Sequence, residues 1–132
     1  MSRDGRHLLG ALLADLDNVV VAPCSRHDGP AGPRAELAAR LLEAGIEWPV
    51  LVRPAASHGG EGLVRCETFE ALQSALCDID GAHYLTGFFD YRHADGLYRR
   101  YRIVFADRKP FAYHLAISAH WMVRWFTTSL PT

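Results

Sequence analysis

Two stretches of this chain carry residues whose types and spacing suit the binding of an anion. Residues 54–62 read Pro-Ala-Ala-Ser-His-Gly-Gly-Glu-Gly and lie between two β-type stretches. Gly59, Gly60 and Gly62 lack the Cβ that would keep a ligand away, so backbone N–H groups there can converge on an oxyanion. Arg53 ends the incoming stretch and supplies a fixed positive charge beside that cradle. Ser57 and His58 add a hydroxyl and an imidazole, but adjacent side chains in a strand or loop diverge, so they do not make a nucleophile and base. No Gly-Lys-Ser/Thr follows the loop, which separates it from a Walker A loop. Taken alone, the same composition also describes an ordinary hairpin tip.

The second stretch is a pair of long strands, 98–106 and 111–118, around Asp107-Arg108-Lys109-Pro110. Alternation puts Arg99, Tyr101, Ile103 and Phe105 on one face and Tyr98, Arg100, Arg102 and Val104 on the other. Matching apolar faces predicts Phe105 opposite Phe111 and Ile103 opposite Tyr113. Arg102 then faces His114, and Arg100 faces Ala116. Two arginines and a histidine above small residues describe a shallow basic groove sized for phosphate oxygens; a solvated sheet face is the alternative. A metal held by His114 and His120 lacks a third ligand in the sequence.

Composition narrows the classes of partner. The chain has 132 residues and a formal net charge of −1, which argues against duplex nucleic acid or an anionic membrane as a bulk electrostatic partner. Lys109 is the only lysine among 14 basic side chains, so a phosphate clamp here is built from arginine, which binds oxyanions in bidentate fashion. Cys24, Cys66 and Cys77 form no Cys-x-x-Cys pair. That pattern fits a reducing cytoplasm better than a disulfide framework. No apolar run approaches the roughly 20 residues that span a bilayer.

The elements that must position these residues follow from periodicity. Leu8, Leu9, Leu12, Leu13 and Leu16 give a helical stripe over 3–16, and Val19-Val20-Val21 reads as a short buried strand stopped by Pro23. Residues 24–33 read as a loop. A helix follows Pro33, with Leu37, Leu41 and Leu42 apolar, and closes at Gly45. Residues 49–53 and 63–65 read as strands. Thr68 is a helix cap with Phe69, Leu72 and Leu76 on one face. Residues 84–89 are a further strand. Helices, then a mixed set, then a hairpin make an α+β chain.

The ordered set Pro49–Pro54, Ser57–Leu63, Asp90-Tyr91-Arg92, Asp95-Gly96-x-Tyr98–Arg102 and His114–Ser118 resembles ATP-grasp proteins, closest to a glutathione-synthetase-like bacterial group. The resemblance implies a linker helix and strand over 1–32 and a small lid lobe over 33–83. It implies that 84–132 are the hinge strand and antiparallel hairpin of a truncated second lobe. It further implies ATP as ligand, with Arg53 on its phosphates and the loop Ser57–Gly62 as phosphate lid. Tyr84–Phe89 would read adenine through its backbone, and Arg100, Arg102 and His114 would face the phosphates or the acceptor substrate. Arg3 stands near a basic position upstream of the lid. The family's acidic hinge residue is replaced by Gly87, and no Asp or Glu follows Asp107, so the usual Mg²⁺ carboxylates have no counterpart. The expectation is an ATP-binding piece of a carboxylate–amine ligase, inactive alone and completed by a homodimer or another protein. A non-catalytic dimerisation or binding module is the alternative.

Overall fold

The structure is a computed structural model and describes residues 6–58 and 60–123. It divides into two compact units, one ending at Phe89 and the other beginning at Asp90. The sequence reading sets its boundary between residues 83 and 84, whereas the last strand of the first unit is His83–Gly87.

That first unit is a four-stranded antiparallel sheet with two packing helices on one face. Its strands are β1 (Cys24–His27), β2 (Val50–Pro54), β3 (Val64–Cys66) and β4 (His83–Gly87), in the order β1-β4-β2-β3. Helix α1 is short (Leu9–Leu12), while α2 (Arg34–Ala44) and α3 (Phe69–Cys77) are the packing helices.

Local chemistry explains both packing helices. Pro33 is the N-cap of α2, and its carbonyl accepts from the Glu36 and Leu37 N–H groups at 3.0 and 3.1 Å. Gly45 ends the helix in the left-handed region (φ 70°), and the Ile46 N–H returns to the Leu41 carbonyl at 2.8 Å. A residue with a Cβ is strained there, which is why glycine stops this helix. For α3, the Thr68 hydroxyl accepts from the Ala71 N–H at 3.1 Å, so the expected cap is present.

Side-chain alternation sorts the sheet into two faces. Val50, Val52 and Leu85 point to the helices and pack with Cys66, Leu37, Leu41, Leu72 and Leu76 in one buried cluster. Leu51, Arg53, Tyr84, Thr86, Cys24 and Arg26 point the other way, because the register pairs Thr86 with Cys24 and Leu51, and Tyr84 with Arg26 and Arg53.

The N-terminal part differs from its periodicity. Among the described residues, the helix expected over 3–16 is a 3-10 turn (Arg6–Leu8) followed by α1, and Leu8, Leu9, Leu12 and Leu16 are all exposed. Helices α2 and α3 occupy one face of the sheet, and the leucine stripe packs as no continuous layer on the other, where Leu9 alone of the five lines the space over Cys24 and Tyr84. Residues 19–21 form no strand, and Val20 is 81% exposed. The strand is instead Cys24–His27, within the stretch that reads as a loop. Pairing with β4 overrides the weak β propensity of Cys-Ser-Arg-His. Pro23 sits just ahead of it, and its carbonyl accepts from the Gly87 N–H at 3.0 Å.

In the second unit, β5 (Tyr98–Ala106) and β6 (Lys109–Ser118) form an antiparallel ribbon. Its turn is Asp107-Arg108, both at positive φ (49° and 63°), so β6 resumes earlier than the expected residue 111. Arg102 faces His114 and Arg100 faces Ala116, as alternation predicts. Beyond them the register shifts at Arg102/Ile103: Ile103 pairs with Ala112, Val104 with Phe111, and Phe105 with Pro110. The expected Phe105–Phe111 and Ile103–Tyr113 pairs are therefore absent. An extra residue on β6 makes a bulge, and the bulge carries Phe111 over to the face of Val104 and Arg102. At the base of the ribbon Tyr98 is buried, with its ring edge-on to Tyr91 at 4.9 Å.

Candidate functional site

The sheet face away from the helices forms the floor of a cavity of about 270 Å³. Cys24 of β1, Leu51 and Arg53 of β2, and Tyr84 and Thr86 of β4 make that floor. Arg6, Leu9, Val21 and Ala22 line it from the N-terminal segment, and Leu63 from the far end of the glycine loop. Two guanidinium-bearing residues thus share one cavity, and among the described residues no Asp or Glu lines it.

Arg53 is held by its own strand exit. Its Nη2 donates to the Ser57 carbonyl at 2.9 Å and to Ser57 Oγ at 3.3 Å, while Nε donates to the same Oγ at 3.3 Å. Ser57 Oγ in turn donates to the Pro54 carbonyl at 2.9 Å. Burial pushes the Arg53 pKa below the ordinary guanidinium value, and the charge of Arg6 adds to that; Tyr84 and Cys24 act in the opposite direction. The Cys24 thiol is raised by burial, against the pull of a hydrogen bond from Thr86 and the charges of Arg6 and Arg53. Beside Arg53 in the row, Arg26 donates to the Tyr84 hydroxyl at 3.3 Å and pairs with Asp28 at 3.0 Å.

The rest of the loop is a set of tight turns. The Ser57 N–H donates to the Pro54 carbonyl, Glu61 N–H to His58, and Leu63 N–H to Gly60. His58 is exposed. Gly60 and Gly62 have positive φ (83° and 69°), and a Cβ on Gly62 would lie 2.9 Å from Pro54 Cδ. Gly59 lies outside the described residues, as does Arg3.

No protein-family model and no curated protein matches the chain.

Of the residues expected at the site, Arg53, Ser57, His58, Gly60 and Gly62 belong to the first unit, and Arg53 and Ser57 are in direct contact. Arg100, Arg102 and His114 belong to the second unit, where Arg102 and His114 are cross-strand neighbours and Arg100 Nη1 donates to the Val123 carbonyl at 3.2 Å. The stretch Tyr84–Phe89, expected to read adenine through its backbone, is most of β4 and the two residues after it. Strand β4 is paired on both sides along its length, and the Gly87 and Phe88 N–H groups donate to Pro23 and Pro49. Those donors are already spent within the sheet.

Sequence reasoning missed Arg6 and Cys24 at the candidate site, and gave Tyr84 and Thr86 only a backbone part in it. The placing of the first strand at 19–21, one segment too early, hid Cys24.

Proposed function

We propose that the first unit binds the phosphate groups of a nucleotide, ATP by its resemblance to ATP-grasp proteins, at the cavity between Arg6 and Arg53. The observation that carries this reading is a pair of guanidinium-bearing residues in one cavity, with no carboxylate among the described residues that line it. Uncompensated positive charge in a partly buried site favours a multiply charged anion. Arginine gives two parallel donors to phosphate oxygens, while Thr86 and Tyr84 offer hydroxyls nearby. Leu9, Leu51 and Leu63 give the cavity apolar walls beside these donors. The chemistry supported is binding and orientation.

By the same resemblance the relatives are ATP-dependent carboxylate–amine ligases, and this chain alone is expected to turn over neither ATP nor an amide product. Calorimetry with ATP tests the binding reading. Each charge-assisted contact contributes roughly 1.5–3 kcal/mol, so Arg53→Ala should weaken binding at least about tenfold. Unchanged affinity in that variant removes the cavity from consideration.

A second reading, a non-catalytic dimerisation module, is favoured by the ribbon, where Phe105 and Tyr113 are 70% and 69% exposed. Exposed apolar area of that kind marks interaction surfaces. A monomeric mass by light scattering at micromolar concentration would count against it.

A further inference from the structure

The guanidinium of Arg53 faces a positively charged cavity, yet three of the contacts it makes go to a neutral residue four places along its own chain. A hydroxyl and a peptide carbonyl are the weaker acceptors for such a donor; a phosphate oxygen carries charge and bonds it about twice as strongly. Both Nε and Nη2, the edge of the guanidinium that takes an oxyanion in bidentate fashion, are the atoms occupied by Ser57. Ser57 itself is buried at 9% exposure and anchored through the Pro54 carbonyl, so it does not drift away by thermal motion of an exposed side chain.

From this we infer that Ser57 is a built-in competitor for the anion site, a clasp that holds Arg53 until a phosphate displaces it. The inference rests on the phosphate-binding reading of the cavity. Binding then has two linked parts: the anion takes the Nε/Nη2 edge, and the Pro54–Ser57 turn gives up its side-chain contacts. The apparent affinity is lowered by the free energy of the clasp, and a variant without the clasp recovers it. A serine that instead contacts the bound phosphate has the opposite signature, because its removal weakens binding.

The test titrates inorganic triphosphate and, separately, ATP into the full chain by calorimetry, using wild type, Ser57→Ala, Ser57→Thr and Arg53→Ala. Ser57→Ala removes both contacts to Oγ and leaves the carbonyl contact, so binding should tighten by about two- to tenfold. Ser57→Thr keeps the hydroxyl and should bind as wild type does. Circular dichroism and urea melts of each variant confirm that the fold is retained. Loss of affinity in Arg53→Ala together with unchanged or weaker binding in Ser57→Ala overturns the clasp while leaving the phosphate site standing. Wild-type affinity in Arg53→Ala overturns both. Tightening in Ser57→Ala without tightening in Ser57→Thr is the result expected.

Discussion

His83 should make the first unit acid-sensitive. It is 2% exposed and sits on the helix-facing side of β4. Its Nε2 lies 3.4 Å from Arg40 Nη2 of α2, an arrangement that suits a neutral imidazole accepting from a cation. Burial pushes its pKa below the ordinary 6.5; Arg40 and His27 push the same way, and a backbone hydrogen bond with Gly81 and the charge of Asp28 oppose them. The folded pKa is therefore the lower one, and the unfolded chain binds the proton more readily. Stability is intact above the unfolded value and falls as pH drops through 6.5 toward the folded value. A proton taken up only on unfolding gives a slope of at most about 1.4 kcal/mol per pH unit, so stability should decline measurably between about pH 7.5 and 5.5. Arg40 heightens the effect because its Nη1 is already buried with no hydrogen-bond partner among the described residues, and a second cation beside it removes the acceptor for Nη2. Urea melts of wild type and His83→Gln across that range provide the assay, since Gln keeps an acceptor and a donor but does not titrate. The difference between the two should narrow as pH falls. Parallel stability curves would refute the assignment.

Four further outcomes follow from contacts already described. Leu85→Ala empties the centre of the helix-facing cluster and should cost about 2–5 kcal/mol in urea melts. Thr68→Ala removes the side-chain cap of α3 and should cost about 1 kcal/mol by the same measurement. Gly45→Ala forces a Cβ into the left-handed region and should cost about 1 kcal/mol or slightly more. Asp107 and Arg108 both hold positive φ in a two-residue turn, so Asp107→Asn with Arg108→Gly should slow amide exchange along the ribbon.

The legible parts of the fold are those decided locally. Thr68 and Gly45 announce the ends of α3 and α2 through their own chemistry, and the alternation in 98–118 gives a hairpin whose lower half pairs as read. What was illegible depends on distant neighbours. Cys-Ser-Arg-His becomes a strand only because β4, some 56 residues later, offers its edge. The bulge at Arg102/Ile103 leaves no mark in the apolar pattern, which is why Phe111 was read onto the wrong face. At the candidate site, Arg53 was visible as a cation at a strand exit beside a glycine loop. Its companions in the cavity were not, because three separate strands and the segment around Arg6 bring them together.

The position of β4 also has a bearing on how the first unit comes off the ribosome. The β2–β3 hairpin can close on itself as soon as Cys66 has emerged, since its partners are near in sequence. Strand β1 is made first of all but pairs only with β4, so it waits for nearly the whole unit to be synthesised. Until Gly87 arrives, β1 has no neighbour, β2 has one bare edge, and the floor of the cavity is divided among unconnected pieces. The keystone strand is thus the last to be laid. Fragments ending before it should populate a collapsed helix-and-hairpin state with Cys24 open to thiol reagents, and those reaching Phe89 should shield it.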